Sequence, residues 1–339
     1  MNKRILLVTG EGRPSQTVAR SCASALESLG FCSRSVICRS TRPFAKEFLF
    51  LQVARFRPDI FFVIRGDKIT PPILRSLKKD TGVLLVNWWT DDPSMLPYST
   101  KLSPYYDYFF TVDRESVSVH QKFHCPRVFT LTFGCDPSFH REVSLSEEEK
   151  SYYGSDITLV GSVSSQRADL LRHIADCDLK IWCRRQFSNF DGEKIIYRTV
   201  PRSDPLYPRF TDRPVWDEEM VKVYNASKIV VNTHSQGVAA TTMRPFEAMG
   251  CGALLISEYR PDLDRFFKIG EELICFKEPE ELRPLVLYYL NHEQERLTIA
   301  RRGQQAVYHR HTYRHRMKEL LDCIENGLTQ ASVPPVAVS

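Results

Sequence analysis

Short runs that are apolar along their whole length, separated by amphipathic stretches, constrain this chain more than any other feature. Up to Gly134 six strand-like runs follow one another, most with an uninterrupted apolar centre: "RILLVTG", "SRSVICR", "DIFFVIRG", "GVLLVNWW", "YDYFFTVD" and "RVFTLTFG". A strand that is apolar at every position must be covered on both faces, which is the condition of a parallel sheet flanked by helices. The intervening segments read as those helices; "SQTVARSCASALESLG", for instance, ends on Gly30, a residue suited to a helix C-terminus. The first part of the chain is therefore expected to be a six-stranded Rossmann-like domain.

The pattern lapses between Cys135 and Ser155, where "CDPSFHREVSLSEEEKSYYGS" is polar and acidic and reads as a linker. It resumes with "DITLVGS", "LKIWC", "KIIYRTV", "KIVVNTH", "ALLIS" and "LICF", with helical patterns around "QRADLLRHIA" and "DEEMVKVYNAS" and two long ones at the end. The expected organisation is α/β: residues 1–140 as a first Rossmann-like domain, 141–155 as linker, and 156–310 as a second Rossmann-like domain. Residues 311–328 form a last helix and 329–339 a disordered, proline-broken tail. Open parallel sheets take ligands at the carboxyl ends of their strands, so a ligand cleft between the two halves is expected.

Several classes fall away. A net charge of +5 suits an anionic ligand but is not the dense basic stripe of a dedicated nucleic-acid binder. A nucleic-acid partner is disfavoured on that ground, and would have to use the basic run "RRGQQAVYHRHTYRHRMK". The ten cysteines are scattered without any C-x-x-C pair, and Cys38, Cys183 and Cys275 sit in strand-like runs, so they read as free thiols in a reducing compartment. The apolar run of "MNKRILLVTGEG" is too short for a signal peptide, and no stretch reaches the roughly 18 apolar residues of a membrane span. A cytoplasmic protein is expected.

The stretch "TMRPFEAMGCGALLIS" carries the most chemistry. It follows the strand "KIVVNTH" and the small-residue loop "SQGVAATT", and reads as a short helix opening at Arg244–Pro245 and stopping at Gly250 before a strand. Free N–H groups at a helix start favour phosphate, and Arg244 adds a bidentate donor. Glu247, one turn on, is repelled by phosphate and matches ribose hydroxyls instead. An Arg–Glu pair three residues apart on a surface helix accounts for the same two residues.

Taken with its neighbours, this stretch resembles the GT-B glycosyltransferases, in particular the branch of the spore-maturation CgeB-type proteins. The likeness runs in order through "TDDPS", "YDYFFTVDRESV", "FGCDPSFH", "DITLVGSVSSQRADLL", "YNASKIVVNTH", "RPFEAMGCGALLIS" and "YHRHTYRHRMKELL", about Trp88 to Leu321. It implies two facing Rossmann-like domains, the acceptor mainly in the first and the nucleotide-sugar in the second, with the last helix crossing back to the first. It also implies metal-independent transfer from a nucleoside diphosphate-sugar, a UDP-sugar by default, to an acceptor hydroxyl, with retention of configuration and no cofactor. Carried onto this chain, Glu247 would hold ribose, Arg244 with Thr241 and Thr242 the diphosphate, and Gly161, Ser162 and Arg167 the phosphates from the other side. The family's earlier glutamate, eight positions before Glu247, would fall at Ala239. A catalytically degenerate nucleotide-binding relative is thus an alternative.

Other residues are candidates on their own chemistry. Asp91 and Asp92, in "NWWTDDPS" at a strand end, could orient or deprotonate an acceptor hydroxyl, although Asp-Asp-Pro is also ordinary turn chemistry. Trp88 and Trp89 offer faces for a sugar ring, with at least one expected in the core. The first loop, "TGEGRPS", has Gly10 and Gly12 but Ser15 where a dinucleotide fingerprint needs its third glycine, which disfavours the nicotinamide oxidoreductase reading. Glu11 there is a weaker base candidate. His234, ending "VVNTH", is a candidate for sugar or phosphate contact. The D-x-D of Asp262 and Asp264 reads as helix capping rather than a metal site. His309, His311 and His315 lack the carboxylate or thiol that would complete a zinc set. The helix "RPFAKEFLFLQVARFR" combines four basic residues with large apolar ones and could touch an anionic membrane, but its place between strands favours a crossover helix packed on the sheet.

Overall fold

The structure, a computed structural model, describes residues 3–39, 44–125, 127–190, 194–234 and 241–331. The chain divides into two compact units, residues 1–132 with 313–339, and residues 133–312. Both are Rossmann-like α/β units with parallel main sheets.

Unit 1 alternates β1 (Arg4–Thr9), α1 (Arg13–Ser28), β2 (Cys32–Ile37), α2 (Ala45–Phe56), β3 (Ile60–Ile64), α3 (Pro71–Thr81), β4 (Leu84–Trp89), α4 (Leu96–Leu102), β5 (Tyr108–Thr111), α5 (Arg114–Lys122) and β6 (Val128–Thr130). The six strands are those expected, in the order β2-β1-β3-β4-β5-β6 and all parallel. Complete burial of β3 and near-complete burial of β1 and β4 explain why these runs carry no polar alternation. Gly30, one residue past the α1 C-cap, takes φ +87°, as a helix-ending glycine should. Helix α2 packs as a crossover through Leu49, Val53 and Phe56, while Phe44 and Leu51 stay exposed.

Unit 2 contains α6 (Glu147–Tyr153), β7 (Ser155–Val160), α7 (Ser165–Arg172), β8 (Leu179–Trp182), β9 (Gln186–Phe190), β10 (Ile195–Thr199), α8 (Asp217–Asn225), β11 (Ser227–Asn232), α9 (Arg244–Gly250), β12 (Leu254–Glu258), α10 (Pro261–Phe266), β13 (Ile274–Phe276), α11 (Leu282–Asn291) and α12 (Glu293–Arg310). Its main sheet runs β13-β12-β11-β7-β8. The chain leaves β7 towards β8 on one side and returns to pair β11 on the other, so the strand order reverses between β7 and β11.

Two segments differ from expectation. "KIIYRTV" does not join the main sheet: β10 pairs antiparallel with β9 as a separate hairpin, and its side chains are exposed on both faces. The stretch read as linker contains α6, closed by a reciprocal capping box in which Ser146 and Glu149 satisfy each other's backbone N–H. No helix among the described residues is long and apolar enough to cross a membrane.

The last helix, α13 (Tyr313–Ala331), belongs to unit 1 and packs against α1. Residues 332–339 of the tail lie outside the described residues. Met317, Leu320 and Ile324 of α13 are buried, Tyr313 meets Trp88 edge-on at 6.5 Å, and the Tyr108 hydroxyl donates to the Ile324 carbonyl at 3.1 Å. Gly327 sits where a Cβ would run into the Tyr108 hydroxyl and ring. Gly327→Val is therefore expected to lower stability by about 2 kcal/mol in urea titration, against a gain of a few tenths of a kcal/mol in helix propensity. Adding Tyr108→Phe, which removes the nearest atom, should recover part of the loss; an unchanged midpoint in the single variant would show that the helix does not press on Tyr108.

Candidate functional site

In an open parallel sheet the place where strand order reverses leaves a crevice at the carboxyl ends, because the flanking loops part to opposite faces. In unit 2 this falls at the ends of β7 and β11, and a cavity of about 210 Å³ lies there, walled by Val160–Ser162 on one side and Asn232–Thr233 on the other. Strand β7 runs straight into Gly161, whose φ of +128° is reserved for glycine, and the Cβ it lacks would meet the Arg244 guanidinium at 3.8 Å. Ser164 then caps α7, its hydroxyl accepting the Arg167 N–H at 3.2 Å.

Two arginines converge on this cavity. The Arg167 side chain turns back to bridge both strand ends, donating from Nη1 to the Ser162 carbonyl and from Nη2 to the Thr233 carbonyl, each at 2.7 Å. Arg244, at the start of α9, donates from Nε to the Val160 carbonyl at 3.0 Å, while its Nη1 meets the Met220 sulfur and pairs with Glu247. Burial, and then the Arg244 charge, brings the Arg167 guanidinium down to about 10, against an opposing influence of Glu258. Arg167 remains a cation at neutral pH. Three further polar atoms around the cavity, Arg167 Nε, Tyr224 Oη and Thr233 Oγ1, have no partner among the described residues. Converging cations and unpartnered donors make a seat for an anion rich in acceptor oxygens.

The expected residues separate accordingly. Gly161, Ser162, Arg167, Thr242 and Arg244 all line the one cavity. Thr242 donates towards Asn232 Oδ1 at 3.5 Å, and Thr241 is buried with its hydroxyl unpartnered among the described residues. Glu247 is buried, its side chain 3% exposed; one carboxylate oxygen holds Arg244 and the other lies 3.9 Å from His140 Nε2. In this arrangement one edge of its carboxylate fixes the arginine. His234 is buried and lines a second cavity together with Glu258 and Arg260. Ala239 lies outside the described residues. Asn232, Thr233 and Tyr224 also face the cavity; the first two were recoverable from their position at a strand end, whereas nothing local marks Tyr224.

The aspartates of unit 1 part company. Asp92, expected beside Asp91 as a base candidate, is not open to that work: its carboxylate is fully buried. It accepts from Ser99 at 2.7 Å and Thr111 at 2.9 Å and lies 2.9 Å from His120 Nε2, whose Nδ1 is 2.9 Å from Ser103 Oγ. This network ties the loop after β4 to α4, β5 and α5. Asp91 keeps 34% of its side chain exposed, near Arg65 at 3.6 Å. Trp88 and Trp89 are both completely buried, so neither offers a face to a sugar. Glu11 is exposed, 3.9 Å from Arg39. Asp262 and Asp264 do not cap α10: the first pairs with Arg265 at 3.2 Å and the second accepts from the Tyr259 hydroxyl at 2.6 Å. His311 is buried among Phe246, Phe266 and Phe267 with Nε2 2.9 Å from the Phe266 carbonyl. Among the described residues no group of three or more His, Cys, Asp or Glu could hold a metal ion.

A model of the glycosyl transferase-like family matches residues 166–322, a span that includes Arg167, His234 and Arg244. No curated protein matches the chain significantly. Among solved structures, sucrose-phosphate synthase from Thermosynechococcus elongatus is similar at 12% identity and TM-score 0.67, covering 98% of this chain and 100% of its own. The HepE protein of Anabaena, in complex with UDP-glucose, is similar at 12% identity and TM-score 0.63, covering 95% of this chain and 99% of its own. The catalytic domain of starch synthase IV from Arabidopsis thaliana, bound to ADP and acarbose, reaches TM-score 0.70 at 9% identity, covering 97% of this chain and 100% of its own. At such identities the likeness establishes the fold, which is GT-B. The glycosyl transferase-like match thus falls within a chain whose two units have the GT-B fold.

Removing the Asp92 carboxylate leaves three buried polar groups without their partner, so Asp92→Ala is expected to cost about 3 kcal/mol of stability in denaturant titration. Asp91→Ala should stay within about 0.5 kcal/mol of the parent. Equal costs for the two would remove the distinction drawn between them.

Proposed function

We propose that the protein is a glycosyltransferase that moves a sugar from a nucleoside diphosphate-sugar to an acceptor hydroxyl, holding the diphosphate between Arg167 and Arg244 at the ends of β7 and β11. The observation that carries this reading is the convergence of two guanidiniums, each anchored to strand-end carbonyls, on a cavity whose lining residues include three polar atoms without a partner among the described residues. Cleaving the sugar–phosphate bond leaves negative charge on the departing diphosphate. Fixed cations aimed at that charge stabilise it without reorganising during the reaction. Glu247 is the positioning residue: its carboxylate sets the Arg244 guanidinium and holds it against the cavity wall. In this scheme arginine does the work that a divalent cation does elsewhere, so transfer proceeds without a metal. Asp91 is the aspartate that a hydroxyl arriving from solvent can reach. The order of sequence blocks supports placement in the CgeB-like branch, and with it retention of anomeric configuration.

Isothermal titration with UDP, ADP, GDP and dTDP tests the site. At least one diphosphate should bind, and Arg167→Ala and Arg244→Ala should each weaken it by about 1.5–3 kcal/mol, roughly 10- to 150-fold. No binding by any of the four, or unchanged affinity in both variants, would rule the reading out. Donor turnover that survives EDTA supports the arginine scheme; turnover abolished by EDTA and restored by a divalent cation overturns that part.

A further inference from the structure

A second cavity, of about 460 Å³, opens along the α7 side of the same strand ends. The two cavities meet residue by residue: Thr233 lines the first and His234 the second, Arg167 the first and Gln166 the second. Whatever is attached to a diphosphate held by Arg167 has this space beside it.

The chemistry of the second cavity follows from one hydrogen-bond chain. Ser257 Oγ donates to the Glu258 carbonyl at 3.0 Å, so it must accept from Asn232 Nδ2, which lies 2.9 Å away. That orients the Asn232 amide, leaving Oδ1 to the Thr242 hydroxyl and placing Nδ2 3.3 Å from His234 Nε2. Nε2 is then the acceptor and the imidazole proton sits on Nδ1. His234 is only 3% exposed, and its Nδ1 has no partner among the described residues. Burial, then the charges of Arg260 and Arg167, pushes the imidazole down to about 3, so it stays neutral and brings no positive charge to a phosphate. Glu258 braces the arrangement, one oxygen accepting the His234 backbone N–H at 2.8 Å and the other Arg260 Nη2 at 2.8 Å. The Arg260 charge is thereby balanced, while its Nε–H is left without a partner among the described residues. Leu170 and Pro279 supply apolar wall, and Asp169 and Glu280 line the same cavity.

We propose that this cavity is the subsite for the transferred sugar, and that it selects an uncharged hexose by donating from His234 Nδ1 and Arg260 Nε to its hydroxyl oxygens. The assignment rests on the reading of the neighbouring cavity as the diphosphate site. Hydroxyls accept from fixed N–H groups and donate to carboxylates, so one sugar ring satisfies both kinds of lining. A sugar acid meets Asp169, Glu258 and Glu280 with only a balanced arginine in compensation.

The test compares each sugar donor with its own diphosphate by isothermal titration: UDP with UDP-glucose, UDP-galactose, UDP-N-acetylglucosamine and UDP-glucuronate, ADP with ADP-glucose, and GDP with GDP-mannose. One uncharged donor should bind more tightly than its diphosphate. His234→Ala should reduce that gain by about three- to tenfold, the scale of one neutral hydrogen bond, while leaving diphosphate affinity within about twofold. Gln166→Trp, which fills the cavity from the exposed face of α7, should abolish the gain without disturbing the core, and His234→Gln should restore part of it. The proposal is overturned if both His234→Ala and Gln166→Trp keep the gain, if UDP-glucuronate is preferred, or if no uncharged donor gains over its diphosphate. The last three results leave diphosphate binding intact; absence of any diphosphate binding in the parent protein overturns the site reading as well.

Discussion

Two like charges brought to one cavity are the constraint around which unit 2 is arranged. Arg167 and Arg244 repel each other across the strand ends; burial first, and then this repulsion, lowers the affinity of Arg167 for its proton. The fold sustains the arrangement by tying each guanidinium to backbone carbonyls of β7, β11 or the loop after β7, groups that cannot move without disturbing the sheet. Gly161 supplies the positive-φ turn that carries the chain past Arg244, and Glu247 offsets part of the Arg244 charge. In the proposed function, an anion held between them would relieve the repulsion and satisfy donors that have no partner among the described residues.

Much of this was legible in the sequence, and what was legible has a common character. Strands such as β1, β3 and β4 were found because double burial erases polar alternation over whole runs, a signal that needs no tertiary information; β2 is largely exposed and lacks it. Arg244 was singled out because it opens a short helix behind a strand and a small-residue loop, whereas Arg167 came only from the family resemblance. The exceptions turn on side-chain direction. Asp91 and Asp92 are adjacent and identical in type, yet one faces solvent and the other closes a network with Ser99, Thr111 and His120. Trp88 and Trp89 point to opposite faces of β4 and both meet core, because both faces of that strand are covered.

The remaining misreadings came from polar segments. The capping box of Ser146 and Glu149 was written plainly in "SLSEEE", but the absence of apolar residues concealed a single-sided helix. The hairpin of β9 and β10 has the composition of a strand without the company of one, since Ile195, Ile196 and Tyr197 are exposed rather than buried against a helix. Asp262 and Asp264 occupy a first helical turn, where capping is the usual arrangement; Arg265 and Tyr259 bind them instead.

The contact of α13 with Tyr108 and α1 has a consequence for the order in which the molecule comes together. Unit 1 is written first in the chain, but the helix that covers Tyr108 and Trp88 is encoded after all of residues 133–312. During synthesis the first sheet must therefore wait, its α13-facing surface open, while the whole of the second unit emerges from the ribosome. The second unit has no such debt, because every strand of its sheet is contiguous within it. The part translated later is thus the part that can finish earlier, and the surface around Tyr108 and Trp88 stays uncovered until α13 is made.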